Sequence, residues 1–209
     1  MSNSLASSNK ILARLLHFAF FLTGISTVLI GQVLPILFKR LNLTDSQAGQ
    51  LFIAQFFGSF VGVFIFNYTL KKFGFVKTIL LGLFAIAIAC LLINSPSIEI
   101  CFLGFFINGI GIGTTLPSIN MLIAEMNPDR QTSALNVLNF CWGVGAIVSQ
   151  PFIKHFGSET SIFNPTLIIS LLIFLSAVLI FLRSRKTADS SQDHEAKHEK
   201  SVPTIWNKN

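Results

Sequence analysis

Apolar residues in this chain come in long runs, and each run is closed by a short polar break. The first runs from about Leu15 to Phe38, and the second opens after Thr44-Asp45-Ser46-Gln47 and reaches about Asn67. Further runs cover about Val76 to Ile93, Ile100 to Ala124, Asn127 to Ile153 and Thr166 to Leu182. A helix needs about 20 apolar residues to cross the hydrocarbon core of a bilayer. The pattern therefore predicts an all-α membrane protein with six transmembrane helices.

The breaks carry their own signals. Thr44 and Gln47 stand at capping-box spacing, Lys71-Lys72-Phe73-Gly74 reads as a turn, and Asn94-Ser95-Pro96-Ser97 ends the third run. Asn127 with Pro128, and Asn164 with Pro165, are expected to be N-cap and first-turn pairs. Arg183-Ser184-Arg185-Lys186 stops transfer. On this reading residues 1–14 form a polar leader, 15–183 the helical bundle and 184–209 a polar tail. Leader and tail have no apolar periodicity and are expected to be disordered.

The six runs are not equally apolar. The third and sixth are almost pure hydrocarbon and should face lipid, whereas the others carry amides, hydroxyls and glycines. Lipid cannot hydrogen-bond an amide at membrane depth, so such groups must face protein or water. Gln32, Asn108, Thr115, Asn136, Asn139 and Trp142 are candidates to line a solute path, because uncharged donors and acceptors beside an aromatic platform suit a sugar-like ligand. Interhelical glue is the competing role, at about 0.6–2 kcal/mol per group. In the fifth run Asn136, Asn139, Gly143, Ala146 and Gln150 recur at 3-4-3-4 spacing and share one helical face. Gly58 with Gly62, and Gly109 with Gly113, form GxxxG pairs that let helices approach closely.

Charge then sets the topology. Only 11% of residues are charged, against about 25% in a soluble domain. The net +6 could suggest nucleic acid, but the cations sit between apolar runs rather than on one folded basic face. With the N-terminus inside, one side of the membrane holds Lys10, Arg14, Lys71, Lys72, Lys77, Arg130, Arg183, Arg185 and Lys186, and the other only Lys39, Arg40 and Lys154. Nine against three places both termini in the cytoplasm of a cell-membrane protein.

Several local matches carry no chemistry. Cys90, Cys101 and Cys141 lack metal-ligand spacing. His194-Glu195-Ala196-Lys197-His198 copies a zinc-protease pattern inside a charged tail with no apolar face. Gly109-Ile110-Gly111-Ile112-Gly113 follows no strand, so it is read as helix packing and not as a phosphate loop. Asn42-Leu43-Thr44 spells a glycosylation sequon, but helix entry explains it better. No activated nucleophile, paired carboxylates, metal cluster or cofactor fingerprint is apparent, and the chain does not read as an enzyme.

An internal repeat emerges from the breaks. Gly31-Gln32-Val33-Leu34-Pro35 and Gly113-Thr114-Thr115-Leu116-Pro117 share GxxLP at an offset of 82, while Lys71-Lys72-Phe73-Gly74 and Lys154-His155-Phe156-Gly157 share KxFG at an offset of 83. Each match falls at the corresponding place of a three-span unit. Two copies of an odd-numbered unit enter the membrane from opposite sides, which predicts a 3+3 inverted repeat. Lys154, outside against the charge rule, is then inherited from the inward-facing copy.

These residues resemble the N-terminal half of a major facilitator superfamily transporter. The resemblance covers about Leu15 to Lys186 and is clearest in Leu41 to Gly74 and Gly104 to Phe152. Asn127-Pro128-Asp129-Arg130, then Ala134-Leu135-Asn136 and Trp142-Gly143-Val144-Gly145-Ala146, are similar to the family's stretch between the fourth and fifth spans. The resemblance implies half of a twelve-span protein with a solute cavity between its halves. Two features depart from it. In the family's loop after span two, this chain has Asn67 in place of the first Gly and Lys71 in place of the Asp, with Phe75 and Val76 where basic residues follow. Phe105 stands where many proton-coupled members carry an Arg. The expectation is a half-size or truncated transporter that moves a small uncharged polar solute by alternating access, as a homodimer or with a second six-helix half. The alternative is a non-transporting membrane scaffold or the remnant of a truncated twelve-helix transporter.

Overall fold

The computed structural model describes residues 2–158 and 161–201, with side chains for residues 10–158 and 161–185. The described residues hold five long helices: α1 (Ser2–Leu41), α2 (Asp45–Leu92), α3 (Ile98–Met126), α4 (Gln131–Phe156) and α5 (Phe163–Ser201). Each includes a segment long and apolar enough to cross a membrane.

Five helices stand where the sequence suggests six because α2 takes in both the second and third runs. Its 48 residues are interrupted at Gly74, whose φ of 77° and ψ of 177° are not helical. A non-glycine residue rarely adopts that φ, so glycine allows the chain to turn there. The packing shows how sharply it turns. Gly58 lies against the Phe106 carbonyl of α3, and Gly82 lies against Gly111 and Thr115 of the same helix. In a straight helix the two glycines would be ~36 Å apart, while residues 106 to 115 span only ~14 Å. The two arms of α2 therefore double back and hold α3 between them.

Contacts between small residues set these distances. A β-carbon on Gly62 would lie 2.5 Å from the Ile110 carbonyl oxygen and 3.0 Å from the Gly113 α-carbon, and one on Gly111 would lie 2.7 Å from the Gly82 carbonyl oxygen. Backbone meets backbone along the whole seam. On the other side of the bundle α1 packs on α4, where Gly24 touches the Trp142 backbone and Gly145 touches that of Phe21. α5 closes on the second arm of α2 through Phe84 and Phe174, whose ring centroids are 5.7 Å apart, and through a 2.9 Å bond from Ser170 Oγ to the Ala87 carbonyl. The outward sides of these two segments are apolar: Leu81, Phe84, Ile88 and Leu91 on one, Leu171, Phe174, Leu175 and Leu179 on the other.

The helix ends match the sequence signals unevenly. Thr44 forms the capping box with Gln47. Asn127 does not cap with its side chain; the amide turns back and donates to the Ile123 carbonyl at 2.9 Å, Pro128–Arg130 form a 3-10 turn, and α4 starts only at Gln131. Asn164 lies inside α5, which begins at Phe163, where the Ser161 hydroxyl accepts from the Phe163 amide. α1 reaches back to Ser2 through most of the polar leader, and α5 runs to Ser201 into the tail. Once a packed span has nucleated a helix, adding residues to its end requires no new nucleus.

Arg40 ties one end of the bundle together. From the last turn of α1 its guanidinium donates to the carbonyls of Ile93 and Ser95, at 2.9 and 3.1 Å, beyond the end of α2. Helix carbonyls left over at a C-terminus carry partial negative charge, so a cation there both bonds and neutralises them.

Candidate functional site between α1 and α4

α4 differs from the other helices. Only 17% of its apolar stretch is buried, against 44–56% in the other four, and it is also the least apolar of the five. Asn136, Val137, Asn139, Phe140, Ile147, Gln150 and Lys154 are exposed, and nothing lies within 4 Å of where a side chain on Gly143 would begin. Their spacing is helical, so they form one stripe along α4. Lipid is a poor neighbour for two Asn, a Gln and a Lys, so water or another protein surface must cover this face.

The predicted path residues divide into three groups. Asn136 and Asn139 project from the open stripe. Gln32 and Trp142 are half-buried at the α1–α4 contact, where the indole Nε1 donates to Thr27 Oγ1 at 3.4 Å. Asn108 and Thr115 are fully buried. Asn108 exchanges two bonds with Ser26 of α1: the Ser26 hydroxyl donates to Oδ1 at 2.8 Å, and Nδ2 donates to the Ser26 carbonyl at 3.3 Å. Thr115 is pressed against Gly82, and its hydroxyl has no hydrogen-bond partner among the described residues. In this conformation these last two residues join helices and do not reach the open face.

Gln55 is less prominent in the sequence, yet it stands at the junction of three helices. It is 4% exposed, its Nε2 donates to the Thr27 carbonyl at 2.9 Å, and its Oε1 is buried with no partner among the described residues. The same Thr27 receives the Trp142 bond.

A cavity of about 510 Å³ opens where α1 and α4 both finish. Gly31, Gln32, Pro35 and Ile36 line it from α1, and Gln150, Ile153 and Lys154 from α4. Gly31 adds no side chain to it, and nothing lies within 4 Å of the position where one would begin. In the sequence this place carries Lys154, one of the three cations expected on the outer side, but spacing along one helix could not show that Lys154 and Gln32 line one cavity.

The departures from the family's loop are also visible. Lys71 and Lys72 are exposed, with Lys72 Nζ 5.6 Å from the Tyr68 ring centre and 5.3 Å from that of Phe73. Phe105 is a fully buried core residue.

Comparison with known proteins decides the family. The profile described as Major Facilitator Superfamily matches residues 16–208. The chain belongs to the major facilitator superfamily. It is accordingly a multi-pass membrane protein of a transporter family, and not an enzyme. Among curated members it is 27% identical to the 4-hydroxybenzoate transporter PcaK of Acinetobacter baylyi, over 66% of this chain and 31% of that one. It is 32% identical to the putative metabolite transport protein YaaU of Escherichia coli, over 60% and 29%. With the glucose/mannose transporter GlcP of Bacillus subtilis the values are 26%, 82% and 44%. In fold the chain is similar to half of FucP, a superfamily transporter whose crystal structure is in the outward conformation, with a TM-score of 0.71 and 24% identity over 84% of this chain and 50% of that one. The matches span less than half the length of these curated relatives.

Proposed function

We propose that the chain is a six-span half of a facilitator-type transporter, with both termini in the cytoplasm. It moves a small solute along the α1–α4 face by rocking against a second six-helix unit, either another copy or a separate half. The open amide stripe of α4 carries this reading, because a polar face at membrane depth needs a wet cavity or a protein counterpart. Of the solutes for which the relatives are named, glucose and mannose are uncharged and rich in hydroxyl groups, while 4-hydroxybenzoate carries a carboxylate beside its one hydroxyl. Donors and acceptors of the Asn136, Asn139 and Gln150 type suit such groups, and a small uncharged polar solute is the class we favour.

The reversal at Gly74 supports six crossings, and two hydrogen bonds support the inverted repeat. Copies related by a two-fold axis must bring equivalent residues near that axis into contact with each other. Ser26 and Asn108 are 82 residues apart and bonded, matching the GxxLP offset; Ala87 and Ser170 are 83 apart and bonded, matching the KxFG offset. Gly62 and Gly145, also 83 apart, each press on the backbone of the neighbouring helix.

The test combines uptake with topology. Purified chain in liposomes should take up labelled glucose or 4-hydroxybenzoate, Cys141 should crosslink to the second unit, and reporters fused at either end should both stay inside. No uptake of either solute, together with monomer alone on crosslinking, would favour the non-transporting scaffold. Termini on opposite sides would end the six-span reading.

A further inference from the structure

The cavity where α1 and α4 finish has a composition that the rest of the open face lacks. Its lining is mixed, and both helices contribute to each kind: the Gln32 and Gln150 amides with the Lys154 ammonium are polar, and Pro35, Ile36 and Ile153 are apolar. No carboxylate lines it among the described residues. At about 510 Å³ it falls in the range of small-molecule sites, and two amides beside an ammonium supply directed donors around one positive charge.

We propose that this cavity is an entry site for a small organic carboxylate with an apolar body. Lys154 and the two amides hold the carboxylate, and Pro35, Ile36 and Ile153 cover the body. A lysine in the last turn of a helix also complements the helix dipole, but that role requires neither a facing glutamine on α1 nor the gap left by Gly31. The charge count puts this end of the bundle on the outer side, so the site would meet solute before the stripe of Asn136 and Asn139 does. The inference rests on the transporter reading for its place in a path, and at this mouth it replaces the uncharged solute class favoured above with an organic anion.

Equilibrium dialysis of the purified full chain in a non-ionic detergent tests it, with labelled benzoate as probe and inorganic phosphate and glucose as competitors. Saturable benzoate binding is expected, resistant to equimolar phosphate and to glucose. Lys154→Gln should weaken it at least ~10-fold, as loss of a charge-assisted hydrogen bond does, while Lys154→Arg retains it. Gly31→Leu should block the site with Lys154 intact. Circular dichroism checks that each variant keeps its helices. Unchanged binding in Lys154→Gln, or no saturable binding in the parent chain, overturns the proposal. Phosphate competing as well as benzoate overturns it too, since a bare charge site would take a lipid phosphate equally. Uptake in liposomes without benzoate binding sinks this inference and spares the transporter reading; binding without uptake of any solute does the reverse.

Discussion

The first arm of α2 meets α3 much as α4 meets α1, yet the two seams differ in tightness. Along the first, Gly58, Gly62, Gly109 and Gly113 all press on backbone atoms of the opposite helix. Along the second, Gly24 and Gly145 do so, but Gly31 and Gly143 have nothing within 4 Å. The contrast is sharpest between Gly113 and Gly31, equivalent positions of the GxxLP repeat: one is sealed against Ser59, the other opens into the cavity. Glycine therefore plays two roles in one chain. It lets backbones touch in the closed seam, and it leaves room for something else in the open one.

Substitutions should separate these roles. The largest effect is expected from Gly113→Leu, because the added side chain meets the Ser59 backbone and backbone cannot swing aside. Overpacking of that kind costs up to ~3 kcal/mol or more, and the protein should be lost from the membrane fraction or melt far earlier in detergent. Gly31→Leu should leave folding intact; equal losses for the pair would erase the distinction between the seams.

Arg40→Met comes next. It removes the charged donor from the Ile93 and Ser95 carbonyls and leaves each only the weak Cys101 Sγ contact at 3.4 Å, so it should destabilise by about 1.5–3 kcal/mol in thermal unfolding. A melting temperature equal to that of the parent would mean that this end of the bundle is held elsewhere.

Asn108→Ala should cost about 0.6–2 kcal/mol, the usual range for a polar contact between membrane helices. A double-mutant cycle with Ser26→Ala should show that the two changes are not additive. Additive effects would mean that the bonds between Asn108 and Ser26 do not hold α1 and α3 together. The smallest effect runs in the opposite direction: Gly143→Ala, on the open seam, should raise stability by ~0.5–1 kcal/mol through helix propensity alone. A loss of that size would mean a neighbour already packs there.

Much of this architecture is legible in the residues alone. Thr44-Asp45-Ser46-Gln47 gives its capping box by spacing, because a cap is made by residues three apart in the chain. The offsets of 82 and 83 are likewise written in the residues. Asn127 does stand at the N-cap position with Pro128 in the first turn after it, but its side chain turns back to Ile123 and makes no cap bond, whereas Asn164 misled, because α5 begins at Phe163 and encloses it. The six path candidates illustrate the same limit. Asn108 and Asn136 are alike in sequence, each an amide in an apolar run, yet one is fully buried against Ser26 and the other is exposed.

What each span carries can be read from the residues: where apolar runs start and stop, which breaks repeat, which face of the fifth run is polar, and where the cations fall. Those properties depend on neighbours a few residues away, and backbone geometry fixes their relation. Packing settled which polar groups meet one another, that Gly74 folds α2 around α3, and that Gln32 and Lys154 share a cavity. Such outcomes depend on how each helix is rotated and how near the next one stands, and both are set by packing between residues far apart in the chain, which no local pattern records.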